Sequence, residues 1–134
     1  MDKSFYSSLK VLVIDDDEMI VRILETFLTS LGIEKIASAP DGSEGLSTLK
    51  REGADIIICD WMMMPQNGLE FCRSVRADAD ETIRRTPILM VTANHNTEQQ
   101  RQAIEAGAND ILAKPILPKE IALRINTLLS PGPA

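Results

Sequence analysis

The chain has 134 residues, 44% of them hydrophobic and 25% charged, which is enough for one soluble globular domain with a real core and too little for two. Its net charge of −6, with no local run of Lys or Arg dense enough to reverse it, excludes a general nucleic-acid binder. No apolar run approaches the roughly 20 residues of a membrane-spanning helix, and the polar start MDKSFYSS is not a secretory signal.

The elements follow in chain order. Val11 to Ile14 is an apolar run of strand length. Met19, Ile20, Ile23, Leu24, Phe27, Leu28 and Leu31 then keep one face of a helix apolar until Gly32 stops it. A weaker strand is expected near Ile33 to Ala37, followed by the turn Pro40, Asp41, Gly42 and a short helix from Ser43 to Arg51. Ile56 to Cys59 is the third strand, and the helix Leu69 to Arg76 carries Leu69, Cys72 and Val75 on one side. Ile88 to Val91 and Ile111 to Ala113 complete the strands, separated by a polar, Gln-rich helix from Thr97 to Ala106. The last helix, Lys119 to Leu129, repeats Ile121, Ile125 and Leu128 at helical spacing. Strands of nearly pure apolar composition alternating with helices predict an α/β fold, a doubly wound parallel sheet covered on both faces. Cys59 and Cys72 fall in apolar surroundings and read as buried free thiols of a reducing cytosol rather than a disulfide, which predicts a cytoplasmic protein.

In an open parallel sheet ligands bind beyond the carboxyl ends of the strands. Here the first strand ends in Asp15, Asp16 and Asp17, the third in Asp60, the fourth in Thr92 and the fifth in Lys114 before Pro115. Carboxylates a few ångströms apart in a cleft repel one another, and one stays protonated unless a cation is bound. Hard oxygen ligands in that number suit Mg²⁺, while Lys114 and Thr92 would complement a phosphoryl group. Asp17 or Glu18 serves as a helix cap or a favourable dipole charge and nothing more.

These residues carry a resemblance. The segments VLVIDDD, DIIICDWMMMPQNGLEF, ILMVTA and AGANDILAKPI resemble the receiver domain of two-component response regulators, from about Lys10 to Leu129. The resemblance implies a flavodoxin-like strand order 2-1-3-4-5 and a single receiver domain over residues 1–134, with its core at about 10–129 and a tail or linker start at 130–134. It implies that Asp60 is the phosphoacceptor and that Asp16 is the direct Mg²⁺ ligand, with Asp15 acting through water and the backbone carbonyl of Met62 as a third protein ligand. Thr92 matches the hydroxyl that binds the phosphoryl group and moves on activation. Lys114 matches the lysine that contacts a phosphoryl oxygen, and a cis peptide joins it to Pro115. Such a domain takes its phosphoryl group from a histidine kinase or a histidine phosphotransfer protein, catalyses only its own phosphorylation and dephosphorylation, and docks an output partner. The expected docking face is the fourth helix, fifth strand and last helix of this reading, with Ile111 and Gln99 as its probes; dimerisation on phosphorylation also falls within the family's range. Neither membrane nor nucleic acid is an expected direct partner.

Three positions depart from the family pattern. Pro65 lies five residues after Asp60 rather than four, although Gly68 keeps its usual offset; Ile111 stands where the family often has an aromatic switch residue; and Met62 and Asn94 occupy the positions that tune phosphoryl lifetime. The triplet Met62, Met63, Met64 reads as loop packing, since thioethers are poor partners for Mg²⁺, and the lone His95 as a surface loop residue. Trp61 reads equally well as packing or as part of the site, and it adjoins Asp60 in either case. Two other readings stay open: a phosphorylation-independent module of the same fold, and a phosphatase resembling the haloacid dehalogenases with Asp15 as nucleophile. The phosphatase reading leaves Asp60 without a role and finds only Glu120 as an acid beyond Lys114.

Overall fold

The computed structural model describes residues 3–61, 67–93 and 96–129. Its elements are α1 (Lys3–Ser8), β1 (Lys10–Ile14), α2 (Glu18–Leu31), β2 (Lys35–Ala39), α3 (Gly42–Glu52), β3 (Ile56–Asp60), α4 (Gly68–Arg76), α5 (Glu81–Arg84), β4 (Ile88–Thr92), α6 (Thr97–Ala106), β5 (Asp110–Ala113) and α7 (Pro118–Leu129). The five strands form one parallel sheet in the order β2-β1-β3-β4-β5, as the sequence reading expects.

Period-two alternation along the strands sorts the core into two layers. Leu12, Ile14, Ile57, Cys59, Ile88, Met90 and Ile111 meet Leu49 of α3, Phe71, Cys72 and Val75 of α4, and Ala103 and Ala106 of α6. The residues between them, Val11, Val13, Ile56, Ile58, Leu89, Val91 and Leu112, meet Tyr6 of α1, Leu24 and Leu28 of α2, and Ile121 and Ile125 of α7. Strands buried on both faces leave no polar side, so the apolar runs are continuous. Cys59 and Cys72 are free and buried, and burial pushes both thiols up, that of Cys72 to about 12.

The second strand lies two residues later than the sequence suggests. Gly32 adopts the left-handed conformation at the end of α2, with φ 107°, and the Ile33 N–H bonds back to the Leu28 carbonyl at 3.1 Å. Ile33 is therefore the apolar residue that seals a helix end, while the strand proper is a half-exposed edge whose alternation is diluted by Lys35 and Ser38. Two short helices, α1 and α5, were not expected. The first is held by its aromatic residues: Tyr6 is buried, and its hydroxyl bonds to the Asn126 side chain of α7 at 2.9 Å. The second starts at the Asp80 cap and sits beside Arg76, whose guanidinium bonds the Arg84, Thr86 and Gly107 carbonyls and the Asn109 side chain.

Candidate phosphoacceptor and cation site

Because β1 lies between β2 and β3, the winding direction reverses beside it, and a crevice opens between the carboxyl ends of β1 and β3. Ile14 pairs with Cys59, so the next residue on each strand, Asp15 and Asp60, stands at the mouth of that crevice. Both continue the alternation of Val11 and Val13 and of Ile56 and Ile58, and so does Lys114 after Leu112. Three charged groups therefore converge on one side of the sheet end, where the strand pattern alone would have placed aliphatic residues.

The three adjacent aspartates do different things. Asp15 is buried, its N–H bonds the Ala39 carbonyl at 3.1 Å, and its Oδ1 accepts the Asp17 N–H at 2.9 Å. Asp17 caps α2 by accepting the N–H groups of Met19 and Ile20, the role expected of it. Asp16 is exposed at the rim. Carboxylate oxygens of Asp15, Asp16 and Asp60 all lie within 4.8 Å of one another. Lys114 places Nζ 3.0 Å from Asp60 Oδ1 and 4.0 Å from Asp15 Oδ2, and the peptide that joins it to Pro115 is cis.

This geometry has an electrostatic cost. Burial pushes the Asp15 carboxyl up to about 6; the charges of Asp60 and Asp16 push the same way, while the Asp17 N–H and Lys114 pull against them. Burial also raises Asp60, opposed chiefly by Lys114. One cation does not offset three close carboxylates, and the donor set is all hard oxygen. A small divalent cation such as Mg²⁺ fits both requirements.

The remaining predicted residues are placed as follows. Thr92 ends β4 next to Asp60, whose strand partner is Val91; it is buried, and its hydroxyl donates to Gln99 Oε1 at 3.3 Å. Met62, with its carbonyl, lies outside the described residues, as do Met63, Met64, Pro65, Asn94 and His95. Trp61 is 7% exposed and joins the core layer under α3, α4 and α6, so packing is at least part of its role. Ile111 is 2% exposed, which removes it as a probe of any docking surface. Gly68 is a functional position whose reason is not visible in sequence. A Cβ there would lie 2.6 Å from the Asp60 carbonyl oxygen and 2.7 Å from Met90 Sδ, so only glycine lets α4 start against the strand that carries Asp60. The Gly68 N–H bonds the Trp61 carbonyl at 2.9 Å and the Trp61 N–H bonds the Val91 carbonyl at 2.9 Å, fixing the backbone directly after the acid.

A doubly wound five-stranded parallel sheet in the order 2-1-3-4-5, with an acidic cluster and a lysine beyond the carboxyl ends of its strands, places the chain in the class of flavodoxin-like α/β domains. The sequence model described as the response regulator receiver domain matches residues 11–126, and the chain belongs to that family. Over 120 residues it is 41% identical to a probable transcriptional regulator, ycf27, of Porphyridium aerugineum, a match covering 90% of this chain and 48% of the relative; the chain thus spans about half the length of that protein. Over 115 residues it is 33% identical to the chemotaxis protein CheY-3 of Vibrio cholerae, covering 86% of this chain and 87% of the relative. The solved structure of Vibrio cholerae chemotaxis protein CheY4 superposes with a TM-score of 0.84 at 30% identity, covering 90% of this chain and 98% of the other.

Proposed function

We propose that the chain is a phosphoacceptor switch in which Asp60 receives a phosphoryl group from the phosphohistidine of a histidine kinase or a phosphotransfer protein. In this reading an Asp60 carboxylate oxygen attacks phosphorus, an O–P bond forms, the N–P bond of the donor breaks and the imidazole leaves. Lys114 is already 3.0 Å from that carboxylate, and its ammonium orients the acid and neutralises a phosphoryl oxygen as charge accumulates. The Thr92 hydroxyl, one step along the neighbouring strand, supplies a second donor to the phosphoryl group. Asp15, Asp16 and Asp60 would hold Mg²⁺, with the Met62 carbonyl as the further ligand that the family implies. The bound ion would supply charge neutralisation between the acids and the incoming phosphoryl oxygens.

The observation that carries this reading is the shared side of Asp15, Asp60 and Lys114 at the switch point, with two buried acids whose carboxyls are raised by burial. Residues 10–129 would act as one receiver unit in the cytoplasm. Its output surface would be formed by α6, β5 and α7, where Ile104 and Leu123 are 49% and 58% exposed; Ile104 and Leu123 thus replace Ile111 as the residues to vary in partner-binding experiments. The test is intact mass after incubation with acetyl phosphate. The reading predicts a gain of one phosphoryl group that requires Mg²⁺ and is absent in Asp60→Asn; a Mg²⁺-binding wild type that never gains it would leave the phosphorylation-independent module as the better account.

A further inference from the structure

The alternation that gathers Asp15, Asp60 and Lys114 on one side of the sheet places Thr92 on the other, since it follows Ile88 and Met90 of the layer under α3, α4 and α6. What its hydroxyl meets there is Gln99. Gln99 is the third residue of α6, and its N–H is fixed by the side chain of the Asn96 cap at 2.8 Å. Helical side chains lean toward the N-terminus, so the first turn of α6 delivers the Gln99 amide oxygen to the end of β4. In an Asn-x-x-Gln start the glutamine would ordinarily turn back to its own cap; here its oxygen is occupied by Thr92. A hydroxyl has one hydrogen to donate, and in this arrangement it is given to Gln99.

We infer that Gln99 is a positioning residue for the phosphoryl-transfer step: it holds the Thr92 hydroxyl on the α6 side, and that bond must break before Thr92 can serve the phosphoryl group on Asp60. The inference rests on the phosphoacceptor reading above. It also couples the site to the first turn of α6 through the Thr92–Gln99 hydrogen bond, so the strength of that latch sets how readily the chain is switched. Losing one neutral hydrogen bond from the resting state should speed phosphoryl uptake by about three- to tenfold.

The experiment compares rates of phosphoryl uptake from acetyl phosphate with Mg²⁺, followed by intact mass, in wild type, Gln99→Leu, Thr92→Val and the double variant. Gln99→Met, of similar length and helix propensity to glutamine, repeats the comparison. Gln99→Leu and Gln99→Met should each be faster than wild type by that factor, and Gln99→Leu should change nothing once Thr92 is Val, because the bond it removes is already absent. Uptake equal to or slower than wild type in both Gln99 variants would overturn the inference. A Gln99→Leu acceleration that survives in the Thr92→Val background would overturn it equally, since Gln99 would then act through something other than Thr92. A wild type that takes up no phosphoryl group removes the phosphoacceptor reading itself, and this inference with it.

Discussion

The Asp15 carboxyl, raised by burial from 3.8 to about 6, links the site to stability. Between those two values the folded chain holds a proton that the unfolded chain has lost, so the metal-free fold loses stability as pH rises through that window and is worst off above it. Asp60, raised in the same direction, adds to the decline. Replacing Asp15 by Asn should therefore stabilise the metal-free protein by about 1–2 kcal/mol near neutral pH and by little near pH 4. Denaturant unfolding in a chelator at both pH values measures this; an equal effect at both would show that the Asp15 charge is not opposed by the fold. Added Mg²⁺ should stabilise wild type and do less for the variant, because ligand binding to the native state alone shifts the equilibrium. At this scale the sequence was informative about charged groups: acids and a lysine at strand ends have few structural reasons to be there, and Asp15, Asp16, Asp60 and Lys114 do come together. Gln99 was singled out only as a probe of the docking face, and its bond to Thr92 was not foreseen because its partner depends on which side of the sheet α6 covers. Only the pattern of Asn96 followed three residues later by Gln99 hinted at a placed side chain.

Among the elements, α4 is held against β3 by absence of a side chain. Gly68→Ala would force a methyl group against the Asp60 carbonyl at 2.6 Å, and overpacking against backbone should cost about 1–3 kcal/mol. A Tm lowered accordingly, together with weaker Mg²⁺ binding reported by the adjacent Trp61, is the expected result; an unchanged Tm would mean that α4 can shift without cost. At the opposite end of the sheet, Arg76 ties α4 to α5, β4 and the turn before β5 through three carbonyls and Asn109. Gly107, at φ 115°, stands where a Cβ would strike Arg76 Cγ, so the guanidinium and the glycine fit as a pair. Arg76→Ala strands those carbonyls and should destabilise by roughly 2–4 kcal/mol in denaturant unfolding, while leaving phosphoryl uptake at Asp60 intact in the fraction that is folded. The long amphipathic helices and the three inner strands were legible because burial dictates their periodicity. The edge strand β2 was displaced because Ile33 is apolar for the sake of a helix cap, and α5 is too short for periodicity to register at all. The aromatic pair Phe5 and Tyr6, with rings 5.2 Å apart, was the available signal for α1, hidden in a start that otherwise reads as polar.

Across the whole molecule, the two-layer core divides labour. The layer with α2 and α7 carries the acids and Lys114 at its edge, and the layer with α3, α4 and α6 carries Thr92 and its Gln99 partner. A phosphoryl group on Asp60 that recruits Thr92 therefore acts across the sheet edge, which is how a change of a few ångströms in one crevice would reach α6 and the exposed Ile104. The α/β class, a parallel sheet covered on both faces, was readable from the alternation of apolar strands and helices, while the strand order came only from the family resemblance that the strand-end residues carry. The sidedness of those residues was not read from sequence, because it depends on where each strand ends relative to its neighbours. The most direct measurement of the central claim is the location of the phosphoryl group. After incubation with acetyl phosphate and Mg²⁺, borohydride reduction converts an aspartyl phosphate to homoserine, and peptide mass spectrometry finds the converted residue. Conversion at Asp60 with Asp15 untouched is the predicted result; conversion at Asp15 would contradict the account and restore the phosphatase reading.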